Sequence, residues 1–105
     1  MIVDEVFHQG GPGSYELTRV HHTDGYVPRV RVYRDSYAKQ STAVAEVLTP
    51  LVTWTIIASS PGHGWHRTTP TTSPDATPLI PVADEVLQRA RRILPMPPPF
   101  TTPGR

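Results

Sequence analysis

The chain has 105 residues, 37% of them apolar, and a formal charge of +1. That is enough for one domain with its own core and too little for two, and it is too near neutral for whole-molecule attraction to nucleic acid or an anionic membrane. With no cysteine, disulfides, thiolate catalysis and thiolate zinc sites are excluded.

Residues 2–8, with Ile2, Val3, Val6 and Phe7 among acids, read as a short strand. Their opening, Met1-Ile2-Val3-Asp4-Glu5, lacks the basic-then-apolar pattern of a leader. No apolar run approaches the roughly 20 residues that cross a bilayer. A cytoplasmic protein without membrane contact is the expectation. Gly10-Gly11-Pro12-Gly13 breaks the chain, and Ser14 to His22 reads as a second strand carrying Tyr15, Leu17 and Val20. Asp24-Gly25 marks a tight turn because both residues tolerate positive φ.

The clearest alternation follows. Val30 and Val32 point one way while Arg29, Arg31 and Tyr33 point the other, the pattern of a half-buried strand with a basic outer face. The apolar run from Ser41 to Leu48 suits strand or helix. The β-branched Thr42, Val44 and Val47, and the stop at Thr49-Pro50, favour strand. Leu51 to Ala58 predicts a fifth strand with Val52, Trp54 and Ile56 on one face.

Of 13 prolines only Pro12, Pro28 and Pro50 precede residue 60, so the material changes there. A Pro/Thr/Ser/Gly-rich loop is expected over 59–78, with Trp65 as its anchor on the body or, alternatively, as a partner contact. Apolar residues at Val82, Val86, Leu87, Ala90, Ile93 and Leu94 then predict a helix. Pro81 suits its first turn. Asp84 and Glu85 near its start and Arg89, Arg91 and Arg92 near its end complement the macrodipole. The tail from Pro95 through Phe100 is expected to run as polyproline II and to offer a minimal proline-rich ligand.

The expected fold is α+β: an antiparallel meander sheet of about five strands over 1–58 with one C-terminal helix packed on one face. The loop 59–78 and the helix of 79–94 complete the same single domain, and 95–105 is a Pro-rich tail. Val30, Val32, Val52, Trp54 and Ile56 are expected to meet Val86, Leu87, Ala90 and Ile93.

Three constellations carry chemistry. Arg29, Arg31 and Arg34, with Tyr33, Tyr37 and Lys39 nearby, suggest a nucleic-acid face. Guanidinium groups at alternate strand positions stand about 7 Å apart, near the phosphate spacing of one strand, and tyrosines stack on bases. The competing reading is a solvated face paired with Glu16, Glu46 or Asp35. The histidines His21, His22, His63 and His66 are candidate metal ligands. They lack the helical spacing that would fix a site, and no metal or other cofactor is expected. Ser59 and Ser60 near His63 place hydroxyl and imidazole close in sequence, but there is no nucleophile elbow and no phosphate-binding glycine loop. The leading expectation is a small non-enzymatic accessory or interaction protein. It would bind another protein or a second copy of itself through the open sheet face, a sheet edge or a proline-rich segment, with nucleic-acid binding as the alternative and a histidine-based metal-dependent enzyme third.

The run Arg29-Val30-Arg31-Val32-Tyr33-Arg34-Asp35-Ser36-Tyr37, followed by Gln40-Ser41 and a Val/Ala-rich strand, resembles small uncharacterised proteins of actinobacteria and their phages. The resemblance covers that stretch alone. It agrees with the preference for nine arginines over the single Lys39 and the absence of Asn, a bias of high-GC codons, and it implies origin without mechanism.

Overall fold

Alternation in the first sixty residues becomes five strands: β1 (Ile2–Gln9), β2 (Tyr15–His21), β3 (Pro28–Arg34), β4 (Thr42–Leu48) and β5 (Trp54–Pro61). They form a single antiparallel sheet in sequence order. A meander needs only short connections, and the glycine turn before β2 supplies one: Gly13 has φ of 76°, a conformation open to glycine at little cost. The computed structural model describes residues 2–22, 26–49 and 51–93. The Asp24-Gly25 turn, Pro50, Leu94 and the 95–105 tail lie outside the described residues.

Helix α1 (Ile80–Ile93) follows a short 3₁₀ turn over Thr77–Leu79. Its buried stripe is Val82, Ala83, Val86, Leu87 and Ala90. These residues join Tyr15, Leu17, Val30, Val32, Ala43, Ala45, Trp65 and Leu79 in one core. Each large aliphatic side chain there contributes about 1.5–3 kcal/mol. The helix docks on β3, β4 and β5. The inner face of β1 and of the first half of β2 is covered by the segment from Trp65 to Leu79 instead, while Arg19 farther along β2 reaches Asp84 of the helix at 3.6 Å. Tyr15 Oη donates to Pro70 O at 2.8 Å, the Gln9 amide donates to Ser73 O, and Leu79 is fully buried.

That segment is therefore built structure, not open loop. Ser59, Ser60 and Pro61 extend β5, and 3₁₀ turns over Gly62–Gly64 and His66–Thr68 follow. Trp65 lies between them, 5% exposed and in the core, so the anchor reading of this residue holds.

The expected core differs in its fifth strand. Val30 and Val32 reach the helix side, but Trp54 and Ile56 face away and Val52 is exposed in the turn before β5. The reason is a β-bulge: the register shifts between Ala45 and Glu46, so Ala45 faces Ala58 while Glu46 faces Ile56. The extra residue, Ile57, packs with Ala58 against the core, and everything before it changes side. Ile93, expected in the core, is exposed at the end of the helix.

Candidate interaction site: the open face of the sheet

With α1 and the Trp65–Leu79 segment on one side, the other side of the sheet has no covering element among the described residues. Its residues follow from the register. β1 contributes Asp4, Val6 and His8, β2 Glu16, Thr18 and Val20, β3 Arg29, Arg31 and Tyr33, and β4 Thr42, Val44 and Glu46. β5 adds Trp54 and Ile56.

At its centre two arginines share one carboxylate. Glu46, its side chain only 6% exposed, receives Arg29 Nε at 2.9 Å and Arg31 Nε at 3.2 Å on the same oxygen. The Arg29 guanidinium also lies 4.0 Å from the Trp54 ring centroid, a cation–π stack. Tyr33 is committed as well: its hydroxyl donates to Asp35 Oδ1 at 2.7 Å and receives Ser14 Oγ at 3.1 Å. That bond, followed by the one from the Tyr37 amide, holds the Asp35 carboxyl below its ordinary pKa.

Around this polar cluster the face is apolar and open. Val6 is 52% and Ile56 56% exposed. A shallow groove of about 350 Å³ runs between Glu16, Arg31, Tyr33, Thr42, Val44 and Ile56. Its lining holds one acidic side chain, one basic and two aliphatic ones, with Tyr33 and Thr42.

Arg34 is not part of this face. It shares the parity of Val30 and Val32 and sits on the inner side, 5% exposed. Its Nε donates to Thr69 Oγ1 at 3.2 Å, its Nη1 donates to Gly13 O, and the Tyr15 ring lies 5.8 Å away. Among the described residues no carboxylate comes within ion-pair distance of it. Polar atoms from distant segments satisfy this charge, so it works as a tether between the sheet and residues 69–70. Tyr37 and Lys39 are exposed, but they lie in the β3–β4 connection, not on the strand. Trp65 is inside. The expected constellation of Arg29, Arg31, Tyr33, Arg34, Tyr37, Lys39 and Trp65 thus divides, and only Arg29, Arg31 and Tyr33 share a face.

The histidines divide too. His21 is buried at the end of β2. Burial pushes its pKa down, helped by the positive charges of Arg91 and Arg19 and opposed by Asp84. His22 is exposed just beyond the strand. His63 is exposed in a 3₁₀ turn, and His66 Nε2 bonds Asp35 O at 3.0 Å. Among the described residues no three His, Asp or Glu side chains gather in a metal-binding group.

Sequence reasoning missed Ile56 and Trp54 as members of this face, because their parity is set by the bulge. It also missed Val6, whose one signal was an apolar residue in a run of acids. Glu46 was legible as a partner for the arginines, though not as the shared one. No family model, curated protein or solved structure matches the chain, so the face stands on its own geometry. No helix of the described residues is long and apolar enough to cross a membrane.

Proposed function

We propose that the protein is a small non-enzymatic interaction module of the cytoplasm. It binds another protein through the uncovered face of its sheet. One observation carries this reading: the face combines half-exposed aliphatic residues, Val6 and Ile56, with a groove between Glu16 and Arg31. Apolar surface rimmed by fixed charges of both signs is what a protein partner uses. The partner that fits is a protein surface with an aliphatic ridge flanked by one basic and one acidic side chain.

Nucleic-acid binding is less well supported. Arg29 and Arg31 share one buried carboxylate, Arg34 is inside, and Asp4 and Glu16 stand on the same face. Phosphate binding needs a local positive surplus, and this face has none.

The test is affinity capture from a lysate of a high-GC actinobacterial host. Wild type is compared with Ile56→Glu and with Gln88→Glu, the latter on the exposed side of α1. A protein retained by wild type and Gln88→Glu but lost by Ile56→Glu supports the reading. Capture that ignores Ile56→Glu, or no capture, rejects it. Oligonucleotide affinity falling steeply with salt would favour the nucleic-acid alternative.

A further inference from the structure

The two edges of the sheet differ. At the β5 edge the helix approaches and Arg89 Nη1 donates to Ser59 O at 3.0 Å, so one edge carbonyl is already occupied. Pro61 lacks an N–H, and the bulge kinks the β4–β5 pair. These are devices that block strand addition. Among the described residues no element covers the β1 edge, and its one irregularity, between Ile2 and Asp4, lies at the end of the strand away from Val6 to Gln9. β1 runs eight residues, seven of them exposed, with Ile2, Val3 and Val6 among the largest exposed apolar side chains of the described residues. It contains neither proline nor lysine.

The residue pattern of β1 is self-complementary when the pairing axis passes through Val6. An antiparallel pair of identical strands related by a twofold axis places each residue opposite its mirror about the axis. With the axis on Val6, Val6 faces its own copy, Asp4 faces His8 of the second copy, and His8 faces Asp4. All four of these polar positions lie on the open face. Glu5 then faces Phe7. An axis on Glu5 or on Asp4 sets two carboxylates directly opposite, which is unfavourable. His8 also lies across from Glu16 within its own sheet, so in the paired state it stands between two acids.

We infer that β1 is a homotypic docking edge: a second copy of this chain adds its β1 antiparallel with Val6 on the twofold axis, joining two sheets into one of ten strands. The complementarity of the Asp4 carboxylate with the His8 imidazole, which can donate a hydrogen bond to it, and the blocked β5 edge select this occupant. The inference goes beyond the interaction reading, since the pairing uses the backbone edge and leaves the Ile56 groove of both copies open.

The absence of cysteine makes a clean probe. Directly opposite Cβ atoms in an antiparallel pair lie about 4.5–5.5 Å apart, close enough for a disulfide after small adjustment. Val6→Cys under mild oxidation is expected to give a covalent dimer. Gln9→Cys, which this register sets opposite Val3, and Ile56→Cys, on the open face, are expected to stay uncrosslinked. Sedimentation of the unmodified wild type is expected to show a dimer. Val6→Lys is expected to be monomeric while remaining folded by circular dichroism. The charge exchange Asp4→His with His8→Asp is expected to keep the dimer that Asp4→His alone weakens. A wild type that stays monomeric up to about 1 mM, the concentration matching roughly 4 kcal/mol of association, overturns the inference. A dimer that crosslinks through Ile56→Cys but not Val6→Cys overturns it too. Loss of the dimer in Asp4→His with capture by the Ile56 groove intact would separate this inference from the interaction reading.

Discussion

Single residues of this protein hold opposing costs that substitution can expose. Val52 has φ of 60° and is 80% exposed. A β-branched residue in the left-handed region costs about 1–2 kcal/mol, and this one regains nothing by burial. Its amide donates to Thr49 O at 2.8 Å, which fixes the turn. Val52→Gly is expected to raise stability by about 1 kcal/mol, read as a melting temperature about 4–8 °C higher. Glu46 is the opposite case. Glu46→Ala removes the shared partner of Arg29 and Arg31, and is expected to cost about 1–3 kcal/mol in denaturant titration. Glu46→Gln should at the same time raise non-specific oligonucleotide affinity, because the face then loses one negative charge. His21 sets a pH response. Its folded pKa lies below the ordinary 6.5, so the unfolded chain takes up the proton more readily. Its contribution is therefore full above about 6.5 and is lost as pH falls through and below that value. His21→Phe is expected to flatten that part of the melting-temperature profile.

At the scale of elements, much was legible because period and punctuation agree. The valines of β3 point inward and the stripe of α1 is buried, as their spacing requires. Glu85 and Arg89 pair at 3.3 Å across one helical turn. β5 was legible as a strand but not in its facing, since a bulge leaves no mark in a run such as Trp54-Thr55-Ile56-Ile57-Ala58. The parity of Arg34 was visible beside Val30 and Val32. What hid its burial was the polar lining that makes it tolerable, which comes from Gly13 and Thr69, far away in sequence. The proline- and threonine-rich stretch likewise orders through long-range contacts. A Cβ built on Gly62 would lie 2.3 Å from Ser41 O and 2.4 Å from Ala38 O, so two turns meet there backbone to backbone. Gly62→Ala is expected to cost about 1–3 kcal/mol, measured by chemical denaturation, while Gly64→Ala, with open space around it, should not.

In its described residues the whole molecule is a sheet covered on one side and bare on the other. The helix and the 65–79 segment bury the inner face, and the outer face keeps its aliphatic residues in water. Its arginines, the most conspicuous feature of the sequence, are drawn into an internal cluster with Glu46 and Trp54, so the chemistry left for a partner is aliphatic with one charge of each sign. The most direct measurement is the paired capture experiment with wild type, Ile56→Glu and Gln88→Glu. A partner protein is expected to be held by wild type and by the helix variant and released by Ile56→Glu, with all three equally folded by circular dichroism. A partner held equally by Ile56→Glu, or lost instead through Gln88→Glu, would contradict it.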